Sequence, residues 1–246
     1  MDEPIVAVPS DLTARIRRLG RNRDVALGYS LIVVGIAIAL ACTPRSVHEE
    51  FVRRSSTNLD NLRHHPINVL VLSAFVLGSP AELAEIPLLI WAYGALQRWL
   101  GRGATVVTGV FGHVGATLFV AVLLATGVTR GLVSPAVSQV DDVGVSYGMA
   151  AVAALCTIRV ARRWRTVYVT VLVGVLVAAL LLFHTFTDVG HATAWCIGLA
   201  LAVIVAAARR ADGRSHVSAE PDNQIDRRAA ASDPAPTDRP DGTRSG

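Results

Sequence analysis

Apolar residues in this chain come in long unbroken blocks, with the charged residues gathered between them. That pattern is neither the alternation of a half-buried strand nor the one-sided stripe of a surface helix. Runs free of Asp, Glu, Lys and Arg cover 25–44, 103–129, 143–158, 166–187 and 189–208. A helix needs about 17–25 apolar residues to span a bilayer, so the third run is short and the second is long enough to tilt. The region between the first two runs is less regular. Residues 66–81 are apolar up to Gly78-Ser79-Pro80, and 81–100 continues as a helix that carries Glu82 and Glu85. The pattern predicts an all-α polytopic membrane protein with six spans, at about 25–43, 81–100, 104–127, 143–159, 166–184 and 189–208. Residues 66–80 are expected to form a loop that partly enters the bilayer.

Composition agrees with this reading. The 246 residues are 52% hydrophobic and 17% charged, with a mean hydropathy of +0.47. A soluble domain of this size could not hide that much apolar surface, so a soluble enzyme or DNA-binding module is excluded. The net charge of +4 does not call for nucleic acid, because the basic residues follow membrane topology. All 23 of them are Arg, and the lack of Lys beside abundant Ala, Val and Leu fits a GC-rich bacterial coding sequence. With the N-terminus in the cytoplasm, the segments flanking the spans place fourteen Arg inside and five outside. This positive-inside bias puts both termini in the cytoplasm of a multi-pass cell-membrane protein. The expected organisation is a cytoplasmic segment over 1–24, a membrane domain over 25–208 and a cytoplasmic tail over 209–246. The tail is rich in Asp, Arg, Pro, Ala and Ser and has no aromatic residue from 211 on, a composition that stays disordered. Ala39-Leu40-Ala41-Cys42 loosely resembles a lipoprotein cleavage box, but 24 residues precede the apolar run and Ala39 matches poorly. Cys42, Cys156 and Cys196 read as small core residues without disulfide or metal spacing.

Polar groups inside a membrane are costly, which makes each a candidate for function. The fourth span opens Asp141-Asp142-Val143-Gly144-Val145-Ser146-Tyr147-Gly148, and the sixth opens Asp188-Val189-Gly190-His191. Both run from outside to inside. Ser146 lies four residues past Asp142 and His191 three past Asp188, so both sit about 4.5–6 Å below the outer boundary. Gly144 and Gly148 form a small-residue face around Ser146, and Gly190, Ala194 and Gly198 form one beside His191. Such faces let helices approach closely in lipid. A serine hydroxyl in reach of a neutral imidazole can lose its proton to it and become a nucleophile. Two plainer roles stand beside that one: Ser146 as a packing residue bonded to its own helix, and His191 as an interhelical hydrogen-bond donor. His113, in Gly112-His113-Val114-Gly115-Ala116, reads as a packing or interhelical hydrogen-bonding group. A metal site from His113, His184, Glu82 and Glu85 lacks any ligand spacing, and no cofactor signature is present.

These residues resemble the rhomboid superfamily of intramembrane serine proteases, most closely its rhomboid-like membrane proteins of actinobacteria. The resemblance covers about 66–208. Gly144-Val145-Ser146 is similar to the Gly-x-Ser that opens the rhomboid serine helix. Gly190-His191 with Gly198 is similar to the Ala-His and downstream glycine of the last helix. Gly78-Ser79-Pro80, followed by Leu96-Gln97-Arg98-Trp99-Leu100-Gly101, resembles the family's Gly-Ser turn and Glu-Arg-x-x-Gly exit, with Gln97 in place of the glutamate. The resemblance implies a six-helix rhomboid-like bundle with Ser146 as nucleophile and His191 as general base. The substrate it implies is a transmembrane segment of another membrane protein.

Three departures bear on activity. Tyr147 stands where active members carry glycine after the serine. Glu82 and Ile86 stand where a His-x-x-x-Asn pair holds the oxyanion. An ionised Glu82 repels an oxyanion, and only a carboxyl kept neutral can donate to one. Losing one oxyanion donor costs about 10²–10³ in rate. Glu82, Glu85 and Tyr147 are thus expected at the substrate cavity, unless the two glutamates simply mark the outer interface. A pseudoprotease that binds transmembrane helices without cutting them is the alternative. A small transporter ranks third, because neither inverted repeats nor paired broken helices are evident.

Overall fold

In the computed structural model, which describes residues 22–183 and 185–218, every regular element is helical. Four long helices account for most of it. They are α1 (Asp24–Ala41), α5 (Ile86–Thr129), α7 (Arg162–Phe183) and α8 (Phe186–Ser218). Three short helices, α2 (Arg45–Ser55), α3 (Leu59–His64) and α4 (Pro66–Leu72), fill the long connection after α1. A 3₁₀ turn over Pro80–Glu85 leads into α5, and α6 (Ser146–Cys156) follows a second 3₁₀ turn at Pro135–Gln139. A third, Thr157–Arg159, closes α6.

Four segments are long and apolar enough to cross a membrane: Asp24–Ala41, Pro80–Thr129, Arg162–Leu182 and Phe186–Ala211. The second contains both expected spans of its region, because α5 is two legs joined at Gly101. There φ is 86° and ψ 178°, a left-handed conformation that glycine adopts without steric cost. Tyr93 and Gly109 are sixteen residues apart and would stand roughly 24 Å apart on a straight helix. Instead the Tyr93 hydroxyl lies 2.5 Å from where a Cβ on Gly109 would be, so the legs fold back as a hairpin. The fourth expected span, 143–159, becomes the 11-residue α6 and its closing turn, too short to qualify by length. Loop 66–80 contains α4. The expected start of the tail at 209 falls inside α8, which continues through Arg- and Ala-containing sequence to Ser218. From Ile204 to Ser218 the end of α8 belongs to a separate unit. Residues 1–21 and 219–246, and the expected metal candidate His184, lie outside the described residues.

α6 is the most enclosed element: Tyr147, Gly148, Met149 and every residue from Ala151 to Cys156 are buried. Small residues on both neighbours make this possible. On the second leg of α5, a Cβ on Gly112 would strike the Ala151 methyl, and one on Gly148 would come within 3.1 Å of the Gly109 carbonyl oxygen. On α8, a Cβ on Gly190 would strike the Tyr147 ring, and one on Gly198 would strike the Ala151 carbonyl and the Ala154 methyl. Ala116, Tyr147, Ala151 and Ala194 form one buried cluster between them. The expected face Gly190, Ala194 and Gly198 is therefore the contact surface of α8 on α6. By contrast, none of Arg162–Leu182 is buried, and its apolar side chains, such as Val171, Leu181 and Leu182, point outward as lipid-facing residues do.

Backbones this close leave no room for a larger side chain. Gly198→Val is expected to part α6 from α8 and lower stability by about 1–3 kcal/mol. Gly174→Val on α7, where a Cβ meets nothing within 4 Å, is expected to leave it unchanged. Thermal unfolding of both variants in detergent checks this, and equal effects would contradict the packing.

Candidate functional site

The chain enters α6 through Gly144, whose φ of 137° turns the backbone just before the helix. Its N–H donates to the Ser73 carbonyl at 2.9 Å, tying the turn to the end of α4. Gly144 thus shapes the entry to the helix, whereas Gly148 carries the packing expected of both. Ser146 is the first helical residue, and the backbone N–H groups of a first turn have no partner within their own helix.

Asp142 is pinned immediately upstream. Its N–H donates to Ser56 Oγ at 2.7 Å, and its carbonyl accepts from the Thr57 N–H and the Thr57 hydroxyl, both at 2.9 Å. Its carboxylate accepts from the Tyr147 hydroxyl, 3.2 Å from each oxygen. Ser55, Ser56, Thr57 and Asn58 are all buried, although they belong to the connection after α1. Asn58 Oδ1 caps α3 by accepting from the Asn61 N–H at 2.9 Å. Asn61 Nδ2 in turn donates to the carbonyls of Arg53 and Ser56. The outer connection is thereby clasped onto the head of the serine helix.

Burial pushes the Asp142 carboxyl up to about 6, against the hydrogen bonds from Tyr147 and Thr57 that favour the charged form. Burial likewise raises its neighbour Asp141. On the exposed α2, by contrast, hydrogen bonds from Arg53 and Arg54 hold the Glu50 carboxyl low.

Structure places the expected residues as follows. No hydrogen bond joins Ser146 to His191. The imidazole of His191 instead packs edge-on against Tyr147, with ring centroids 5.1 Å apart and planes at 77°. Asp188 serves the start of α8, where its carboxylate accepts from the Thr185 N–H at 2.8 Å and the Thr185 hydroxyl at 2.9 Å, as in a capping box. Glu82 lies near Gly144, on the approach to the serine helix. Its carboxylate accepts from the Gly78 N–H at 3.0 Å, and a Cβ on Gly144 would lie 3.7 Å from Glu82 and 3.8 Å from Ser146 Oγ. Glu85 shares that 3₁₀ turn, but its carboxylate accepts no hydrogen bond among the described residues.

His113 has a larger part than its sequence context suggested. It is buried, and its Nε2 lies 3.1 Å from the Leu70 carbonyl and 3.0 Å from Ser73 Oγ. Its Nδ1 is buried without a protein partner. His113, Thr57, Asp142, Ser146 and Tyr147 line a polar cavity of about 10 Å³, the size of one water site. Sequence reasoning used Asp142 only to mark depth and missed Thr57. The available signal was the polar run Ser55-Ser56-Thr57-Asn58, out of place beside charged loop residues. Among the described residues no group of three metal-ligating side chains occurs.

Above its ordinary value, the Asp142 carboxyl holds its proton better in the fold than in the unfolded chain. Its contribution to stability is greatest when protonated, falls as pH rises from about 4 to about 6, and is level above that. Asp142→Asn keeps the Tyr147 and Thr57 contacts without the buried charge. Thermal unfolding from pH 4 to 8 is expected to show the variant gaining on wild type across that window. A difference independent of pH would contradict it.

A family model described as rhomboid-like protein matches residues 26–211. No curated protein matches the chain, and no solved structure does.

Proposed function

The chain belongs to the rhomboid-like family of helical membrane proteins, and on that footing we propose that it is an intramembrane serine hydrolase with Ser146 as its nucleophile. In this reading it spans the cell membrane six times with both termini in the cytoplasm. The substrate is a transmembrane segment of another membrane protein, unwound near its outer end.

The observation that carries the reading is the position of Ser146. It opens a buried helix at the edge of a polar, water-sized cavity, beside first-turn N–H groups that have no helical partner. Those N–H groups supply the oxyanion donors that Glu82 and Ile86 do not, since an oxyanion is best stabilised by fixed dipoles aimed at it. His191 is the general base. It lies against Tyr147, the residue next to the serine, and its hydrogen bond to Ser146 forms as substrate binds, as catalytic contacts commonly tighten only in the complex.

A specific observation favours a second reading. Tyr147, held by Asp142 and packed edge-on against His191, occupies the side of α6 that a Ser–His pair would use, and Glu82 brings a carboxyl to the oxyanion side. A protein built this way would hold a transmembrane helix without cutting it.

Labelling of the membrane-embedded protein by a fluorophosphonate probe separates the two. The hydrolase reading expects wild type to label, and Ser146→Ala and His191→Ala to fall to background. A folded wild type that fails to label favours the helix-binding reading.

A further inference from the structure

Three elements meet at the Gly101 end of the bundle: the start of α1, the hairpin and the close of α6. Gln97 is buried there, accepting from the Val25 N–H at 3.1 Å and donating to Asp24 at 2.6 Å. Each element also brings an arginine to Gly94–Ala95. The aliphatic stem of Arg23 and a terminal nitrogen of Arg98 lie 3.3–3.4 Å from where a Cβ on Gly94 would stand. Arg159 Nη1 donates to the Ala95 carbonyl at 2.9 Å. Arg98 feels the positive charges of both others. No carboxylate of the described residues pairs with any of the three. Asp24, the acid at this end, is already engaged by Arg102 at 2.8 Å and by Gln97.

An apolar groove of about 510 Å³ starts beside this cluster, at Asp24 and Val25. It runs between α1 and the second leg of α5, passes Tyr29 and Tyr93, and ends at Leu70 and His113. Its wall from Val106 to Val114 is about 12 Å of helix. The groove is open at Gly28, where a Cβ would meet nothing within 4 Å.

Three arginines gathered beside one end of an apolar groove match an amphiphile with an anionic head. We propose that this is a binding site for an anionic phospholipid, with the phosphate held by Arg23, Arg98 and Arg159 and an acyl chain laid in the groove. Guanidinium groups have the fork geometry that suits phosphate oxygens. Basic pockets between transmembrane helices hold acidic head groups in this way. A zwitterionic head gains less, because no carboxylate among the described residues is free at the cluster to meet its cation. The site is independent of whether Ser146 is active.

Native mass spectrometry of the full chain in detergent, with phosphatidylglycerol and phosphatidylcholine, tests the assignment. Retention of phosphatidylglycerol on the order of tenfold over phosphatidylcholine is expected from arginine contacts of this number. Arg23→Gln with Arg98→Gln is expected to bring the two lipids to parity, and Gly28→Phe to reduce retention of both. Equal retention by wild type, or an undiminished preference in the arginine variant, would overturn the head-group assignment. Undiminished retention in Gly28→Phe would overturn the groove. Displacement by millimolar inorganic phosphate, or a photocrosslinker at position 28 that captures a protein segment and no lipid, would each overturn a phospholipid occupant. Should the double variant not fold, salt titration of wild type reads the same contact. Phosphatidylglycerol retention must then fall as salt rises, and a flat response overturns the proposal.

Discussion

Helices in lipid gain nothing by hiding apolar surface from one another, so close backbone approach has to hold them together. Everything around Ser146 depends on that constraint being met on two sides of a single short helix. Gly112 and Gly148 let α6 approach the hairpin, and Gly190 and Gly198 let it approach α8. Tyr147 is a bulky side chain at the head of this sandwich, and its ring is what faces His191.

A second constraint comes from polar satisfaction. Backbone that leaves helical geometry inside a membrane protein must find partners within the protein. The entry to α6 does so by reaching back to a connection some 85 residues earlier, through Asp142, Ser56 and Thr57. The clasp fixes the serine's position with hydrogen bonds, while the rest of α6 is fixed by contact of small residues.

Much of the fold could be read from the sequence, because block hydrophobicity is a property of single segments. The α8 face of Gly190, Ala194 and Gly198 was legible for the same reason. What paired Ser146 with His191 was their distance along the chain from Asp142 and Asp188, which is local and legible. Helix rotation was not. Successive residues differ by about 100° around the axis, so Tyr147 and not Ser146 meets the imidazole. Nor were the pairings of Thr57 with Asp142 and of Ser73 with His113, since contacts between segments far apart in sequence leave no local periodicity. Gly144 was read as a packing residue by its spacing from Gly148, but it lies just before the helix begins, where φ is the quantity that matters.

The hairpin at Gly101 also constrains how the protein is made. A single glycine joins the two legs of α5, flanked by Arg98 and Arg102. No polar loop exists there to be left behind on one side of the membrane while a leg threads alone. Charged residues resist translocation and mark the side on which a turn stays. Two legs joined this tightly constrain each other: in a bilayer neither could be placed without fixing the other.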